Sequence, residues 1–250
     1  MQIIPLSEGA FTIDKSKVFI PFILNKDSLQ DRNAGSLLVE VQPFVIITKN
    51  DVILIDTGLG FNYNNQLQIH QNLLAVGIPP ERVTKVFLSH LHKDHAGGIA
   101  KKDARGNFNL SFENAVYYVQ QNEYDFAMTN ESLSYEPTEL KVLENNPQVY
   151  WLNGNGYIDK NIEYQITAAH SQFHQVFWIK EDNDIIFFGG DDAPQIQQMK
   201  TKFVAKYDFN GKKCMLLRQQ WWNEGREKNW SFLFYHDVKT PIYNESLSTK

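Results

Sequence analysis

The chain has 250 residues, a formal net charge of −5, and 42% hydrophobic and 13% aromatic residues. That is enough to fill a sizeable core, and the length fits a single domain over residues 1–250. The acidic balance argues against a nucleic-acid partner, a lone cysteine (Cys214) excludes an internal disulfide, and no apolar run is long enough to cross a membrane.

The N-terminal stretch MQIIPLSEGAFTIDKSK lacks a basic segment followed by an apolar core, so a cytoplasmic protein is expected. Strand-like segments follow at 17–24 (KVFIPFIL), 36–49 (SLLVEVQPFVIITK) and 52–56 (VILID), rich in β-branched and aromatic residues between turn formers. Lys49-Asn50-Asp51 predicts a hairpin joining the last two. Residues 64–76 place Leu67, Ile69, Leu73, Leu74 and Val76 at roughly helical spacing and stop at Gly77. His70 inside this stretch reads as a helix-surface residue.

Residues 85–89 predict a short buried strand running directly into a histidine cluster. Further strands are expected at 115–119, 162–168, 175–179, 185–188 and 230–235, and helices near 122–128, 138–143 and 211–226. In the last helix, Cys214 reads as a small buried hydrophobe, and Trp221 and Trp222 as core residues. Two strand-rich halves with interspersed helices predict an α/β (α+β) chain of two packed sheets covered by helices.

The polar residues at the strand ends carry the chemistry. Asp56, the run His90-Leu91-His92-Lys93-Asp94-His95, His170, Asp191 and His236 each stand at or just past the end of an apolar run. Strand ends are where a rigid scaffold meets loops, so side chains from distant segments converge there. In an extended His90-x-His92, alternate side chains project the same way and both imidazoles reach one cation. Asp94 and His95 follow in a turn and point to a second. His170 and His236, each at a strand end, add donors, and Asp191 after Gly189-Gly190 has two oxygens with which to bridge two cations. His174 reads as a residue orienting the His170 loop from behind, and Asp192 as a loop or substrate-side residue. Neutral imidazoles and carboxylates suit two divalent ions, zinc first, with manganese or iron as alternatives.

The phrases Leu54-Ile55-Asp56-Thr57-Gly58, Ser89-His90-Leu91-His92-Lys93-Asp94-His95-Ala96-Gly97-Gly98, the His170 segment, Gly190-Asp191 and His236 together resemble the metallo-β-lactamase superfamily. The resemblance implies an αββα sandwich with metals at one rim of the sheets. It implies that His90, His92 and His170 hold one metal, that Asp94, His95 and His236 hold the other, that Asp191 bridges them, and that Asp56 steadies the histidine loop. Ala169 and Phe173 stand where the family writes glycine. The acyl-homoserine lactonase branch, similar in size, carries a tyrosine three residues beyond the bridging aspartate, where this chain has Pro194.

The expected activity is hydrolysis of an ester, lactone or thioester in a small molecule by a metal-bridging hydroxide, with Asp94 shuttling the proton. Phosphodiesterase activity on the same site, a mononuclear iron persulfide-type dioxygenase and a non-catalytic metal-binding protein are the alternatives. Residues 121–157 and Phe61-Asn62-Tyr63 are expected to line the cleft.

Overall fold

Most of the apolar runs pair into two six-stranded sheets in the computed structural model, which describes residues 1–64 and 66–247. The first sheet has the order Gln2–Pro5, Phe44–Ile47, Val52–Ile55, Lys85–Phe87, Val116–Gln120, Val149–Leu152. Its first two pairings are antiparallel and the other three parallel. The second sheet runs Gly156–Ile158, Ile162–Ile166, Gln175–Glu181, Asp184–Phe188, Ser231–Leu233, Ile242–Tyr243. Only its Asp184–Phe188 and Ser231–Leu233 pair is parallel.

Both faces of each sheet are covered, which is why the central strands read as continuous apolar runs. Phe44, Ile46, Ile53, Ile55 and Phe87 face the second sheet, and meet Phe177, Ile179, Ile186 and Phe188. Their neighbours Val45, Val52, Leu54 and Val86 point the other way, onto Ile69 and Leu73 of helix Gln68–Ala75 and onto Tyr124 and Ala127 of helix Gln121–Thr129. On the outer face of the second sheet, Val176, Trp178, Phe187 and Phe232 pack against Met199 of helix Ile196–Lys200 and Trp221 of helix Gly211–Glu227. The layering is helix, sheet, sheet, helix, as the resemblance implies. Among the described residues no helix is long and apolar enough to cross a membrane.

The expected Lys49-Asn50-Asp51 hairpin forms, closed by a hydrogen bond from the Thr48 amide to the Asp51 carbonyl at 2.9 Å. The run 36–49 is two strands rather than one. It breaks at Gln42-Pro43, where proline has no amide hydrogen to donate, and Leu37–Val41 joins a separate three-stranded sheet with Gly9–Ile13 and Ile20–Pro21. Of the strand expected at 17–24 only Ile20–Pro21 forms, and strand Gln2–Pro5 lies in a stretch where no strand was expected. The helix expected from 64 begins at Gln68, after a short pairing of Asn62–Tyr63 with Gln66–Leu67; Asn65 lies outside the described residues.

His70 is a correction. It is buried, with its ring 5.0 Å from that of Phe112, because the hairpin Ala100–Lys102 with Phe108–Leu110 and the chain just after it close over that side of the helix. Trp221 lies 5.0 Å from Phe187 and Trp222 5.3 Å from Phe232, so both serve the core as expected.

The parallel strands place the site. Val52–Ile55 and Lys85–Phe87 end side by side, and so do Asp184–Phe188 and Ser231–Leu233, so all four deliver their following residues to one rim. Phe87 ties the layers together: fully buried, it stacks on Phe177 across the sandwich at 5.2 Å and 20°. We expect Phe87→Ala to destabilise the protein by about 3–5 kcal/mol, read as a lowered midpoint in urea unfolding. A loss under 1 kcal/mol would mean that the sheets do not depend on this contact.

Candidate metal centre

At that rim, seven predicted donors form two adjoining groups. Ligand atoms of His90, His92, His170 and Asp191 lie within 4.8 Å of one another, as do those of Asp94, His95 and His236. His90 Nε2 is 2.9 Å from His92 Nδ1, which is 3.3 Å from His170 Nε2. Asp191 joins the groups. Its Oδ2 lies 3.2 Å from His170 Nε2, while Oδ1 lies 3.1 Å from His95 Nε2 and 3.0 Å from His236 Nε2. Asp94 Oδ2 completes the second group, 3.7 Å from His95 Nε2 and 3.5 Å from His236 Nε2. All seven expected residues are therefore brought together.

Four of the five imidazoles are held by the nitrogen that faces away from the centre. His95 Nδ1 donates to Asp56 Oδ2 at 2.7 Å, His170 Nδ1 to Asp208 Oδ1 at 2.9 Å, and His236 Nδ1 to the Glu40 carbonyl at 2.6 Å. Ser89 Oγ donates to Asp56 Oδ2 at 2.8 Å, and so is left to accept from His90 Nδ1 at 3.0 Å. These acceptors fix the tautomers and leave Nε2 lone pairs directed inward. Asp56 takes up this role with a left-handed backbone (φ 56°) and also accepts from the Ser89 amide at 2.8 Å. Such backbone strain persists where surrounding contacts over-determine it.

The donor set fits a pair of cations on two observations. His95 Nε2 and Asp191 Oδ1 are buried yet have no hydrogen-bond partner, although 3.1 Å apart; buried polar atoms left unpaired need an explanation, and a bound ion supplies one. The chemistry agrees, since five imidazoles and two carboxylates are the donors that zinc, manganese and iron take.

The electrostatics are consistent. Burial, then the neighbouring imidazoles, holds His90 and His92 well below the ordinary histidine value, so both are neutral. Burial also disfavours charge on His95, His170 and His236, but the surrounding carboxylates, Asp191 foremost, together outweigh it and raise all three. Asp191 itself is penalised by burial yet held well below the carboxylate range by His236, His95 and His170. Protons and divalent cations compete for the same nitrogens around this carboxylate.

The turn Gly190–Asp192 sends two successive carboxylates in opposite directions. Asp191 faces the centre. Asp192, expected as a loop or substrate-side residue, takes the loop place and is fully buried: it accepts from the His170 amide at 2.7 Å and from Cys214 Sγ at 3.4 Å, and lies 3.1 Å from His174 Nδ1. It anchors the loop that carries His170. His174, fully buried, accepts from the Asp191 amide through Nε2 at 3.1 Å, which matches its expected supporting position. Gly190 (φ 49°) allows the approach, since a Cβ there would stand 2.7 Å from His174 Nε2. Cys214 is buried as expected, and burial pushes its thiol up.

Sequence reasoning missed Asp208. It lies in TKFVAKYDFN, a segment with no strand end or motif to flag it. The segment is clasped to the His170 loop by the amides of Phe209 and Asn210, which donate to the carbonyls of His170 (2.9 Å) and Ala169 (2.7 Å). Also missed was Glu8, whose buried carboxyl accepts from the Leu59 amide at 2.7 Å and is raised to about 8 by burial.

The cluster opens into a cavity of 580 Å³. Its walls come from residues 13–19, 35–39 and 194–207, and from the expected 121–157 region only Ser134 contributes. Phe61, Asn62 and Tyr63 are absent from the lining; Phe61 turns instead toward Phe11, 5.8 Å away. Phe173 packs on Phe126 at 6.0 Å. Pro194 lines the cavity, and a phenol reaches it from elsewhere, on Tyr207.

A family model described as the Metallo-beta-lactamase superfamily matches residues 39–203. The N-acyl homoserine lactonase AttM of Agrobacterium fabrum is 30% identical over 117 residues, 44% of this chain and 40% of that protein. AttM of Azorhizobium caulinodans is 33% identical over 89 residues, only 23% of its own length. The chain thus spans less than half of these relatives. The N-acyl homoserine lactonase of Bacillus cereus is 26% identical over 79% of this chain and 82% of its own length. Among solved structures, a probable metal-dependent hydrolase from Staphylococcus aureus superposes with a TM-score of 0.78 at 21% identity, covering 97% of this chain and 91% of that one. AidC, a dizinc quorum-quenching lactonase, gives 0.72 at 19% identity, covering 96% and 88%. At such identities the structural likeness speaks for the fold.

Two outcomes follow from these contacts. Asp208→Asn is expected to weaken metal retention about 10–100-fold, measured by chelator competition, while His70→Ala keeps its metal and loses only stability. Equal retention in Asp208→Asn and the parent would remove Asp208 from the site. Glu8 has a folded-state value raised above its ordinary one, so its contribution to stability is full below pH 4.5 and is lost as pH rises through about 8. In chelator, stability should therefore fall between pH 5.5 and 7.5 by about 2 kcal/mol more in the parent than in Glu8→Gln. Parallel pH profiles in urea unfolding would refute the assignment.

Proposed function

The chain belongs to the metallo-beta-lactamase superfamily, and from that membership and the donor geometry we propose that it is a two-metal hydrolase of small acyl esters, lactones or thioesters. The observation that carries this reading is Asp191, which turns Oδ2 to one set of imidazoles and Oδ1 to the other. His90, His92 and His170 would hold one cation, Asp94, His95 and His236 the second, and Asp191 both. Such a pair of cations, zinc by preference, acidifies a shared water and polarises a carbonyl oxygen.

The chain's own groups supply the rest. Asp94 stands at the cavity wall with its carboxylate beside the second donor group, placed to take a proton from the attacking water and return it to the leaving oxygen. Its backbone is pinned by the Tyr235 hydroxyl, which donates to the Asp94 carbonyl at 2.6 Å. The Tyr207 phenol, pushed up to about 12 chiefly by burial, stays protonated and offers a donor that Pro194 cannot. The apolar side of the cavity, which includes Ile13, Phe19, Leu37 and Phe203, suits the acyl part of a carbonyl substrate. The intact second donor group favours two metals over the single iron of a dioxygenase.

Protein purified without chelator is expected to carry close to two equivalents of zinc, manganese or iron by elemental analysis. One equivalent of iron with thiol-dependent oxygen uptake would replace this reading with the dioxygenase. On a panel of lactones, esters and thioesters, Asp94→Asn should lower kcat at least about 100-fold; unchanged turnover would remove Asp94 from proton transfer.

A further inference from the structure

The chain is acidic overall, yet its cavity is ringed by lysines. Lys15, Lys17, Lys93 and Lys206 all line it, whereas Asp14, Asp94 and Asp191 are the carboxylates in the lining. Asp94 and Asp191 belong to the metal donors. Asp14 is engaged by Ser16, whose amide donates at 2.8 Å and whose hydroxyl donates at 2.6 Å, and by Asn33 Nδ2 at 3.4 Å. Lys49, Lys85, Lys180 and Lys228 sit in ion pairs and other lysines lie free on the surface, so what sets these four apart is their convergence on one cavity. Among the described residues none of the four cavity ammonium groups has a carboxylate within ion-pair distance.

Lys17 has a second peculiarity. It closes a turn, its amide donating to the Asp14 carbonyl at 3.1 Å, in a left-handed backbone conformation with φ 57°. Glycine or asparagine is the ordinary choice there, so lysine accepts a strained backbone while placing a long cationic side chain at the cavity. Lys93 sits between the donors His92 and Asp94 in the chain, and both Lys17 and Lys93 are half-buried. Opposite charge in the ligand is what such a set of unpaired cations recognises, more strongly in a partly dry site than on the surface. The strands Gly9–Ile13 and Leu37–Val41, with Phe19, supply an apolar wall beside them, and 580 Å³ falls in the range of small-molecule pockets.

We propose that this cavity selects amphipathic acyl substrates bearing a carboxylate near the scissile bond, with Lys17, Lys93 and Lys206 receiving the carboxylate and the acyl chain lying along the Ile13–Phe19–Leu38 wall. Only the identity of the cleaved bond rests on the hydrolase reading above; the anion recognition is a property of this chain's lysines.

Two matched pairs separate the ideas. The ester 4-octanoyloxybenzoate and its neutral counterpart 4-octanoyloxybenzamide match in size and shape, report turnover by phenolate release, and are compared after division by their spontaneous hydrolysis rates, because the carboxamide makes the better leaving group. The uncleavable ethers 4-octyloxybenzoate and 4-octyloxybenzamide report binding by calorimetry, with metals loaded and in chelator. The proposal expects kcat/KM and affinity at least tenfold higher for the carboxylates, a preference that shrinks as salt rises. In Lys17→Met with Lys206→Met the ratio should fall at least fivefold, while Lys202→Met, outside the cavity lining, keeps the parental ratio. Equal use of both esters together with equal binding of both ethers overturns the proposal and leaves the hydrolase standing. Selective ether binding with neither ester cleaved overturns the hydrolase and leaves anion recognition standing. A carboxylate preference that survives the double substitution, or vanishes in chelator, assigns the anion to the metals and overturns the lysine role.

Discussion

The arrangement depends on the charge of Asp191. A buried carboxylate is tolerated only when paired, and this one is surrounded by His95, His170 and His236 at 3.0–3.2 Å. Burial disfavours charge on each of those imidazoles, and Asp191 is the foremost of the carboxylates that offset it. The cluster is thus a mutual dependence, in which removing one charge strands the rest. Divalent cations suit such a place because they carry the compensating charge without requiring the imidazoles to be protonated.

That dependence explains the ring of acceptors around it. A ligand imidazole must offer the correct nitrogen, and the proton on the other one decides which. The acceptors come from different parts of the fold: Asp56 from the end of an interior strand of the first sheet, the Glu40 carbonyl from the small three-stranded sheet, and Asp208 from the segment before the long helix. Asp192 then holds the His170 amide, so ring and backbone of that residue are fixed separately. The fold supplies rigidity through the sandwich core, and the acceptors convert rigidity into orientation.

How much of this could be read from the chain follows from how local each signal is. The motif from His90 to His95 is six residues of contiguous chemistry, and the strands that deliver Asp56, Asp191 and His236 show up as apolar runs because both faces of the sheets are covered. The separation of His90 and His92 from Asp94 and His95 followed from alternation in an extended segment and reversal in a turn, whereas the sides taken by His170 and His236 came from the family resemblance. The supporting residues were harder. Asp192 and Asp191 are neighbours with the same side chain, and only the turn geometry decides which faces inward. Asp208 meets His170 across 38 positions, and nothing near it in the sequence marks that contact. His70 looked like surface because helical periodicity gives the apolar side of a helix, whereas the hairpin covering His70 comes from later residues. The cleft walls were misplaced for a similar reason. Segments 13–19 and 194–207 have no motif, and tertiary packing alone brings them to the rim.

These late-arriving segments also join specificity to chemistry. Residues 206–210 have two duties within five positions. Lys206 and Tyr207 face the cavity, Asp208 fixes the His170 ring, and the Phe209 and Asn210 amides clasp the loop behind it. A change that moves the substrate-facing half of this segment therefore also moves the acceptor that aims a metal donor. Pro194 shows the opposite solution. It contributes to the cavity wall while its carbonyl accepts from the His236 amide at 3.0 Å, so its backbone serves the donor and its ring serves the pocket. Where the two duties fall on one residue's separate parts, either can change alone. Where they share one short segment, substrate preference and metal geometry must change together.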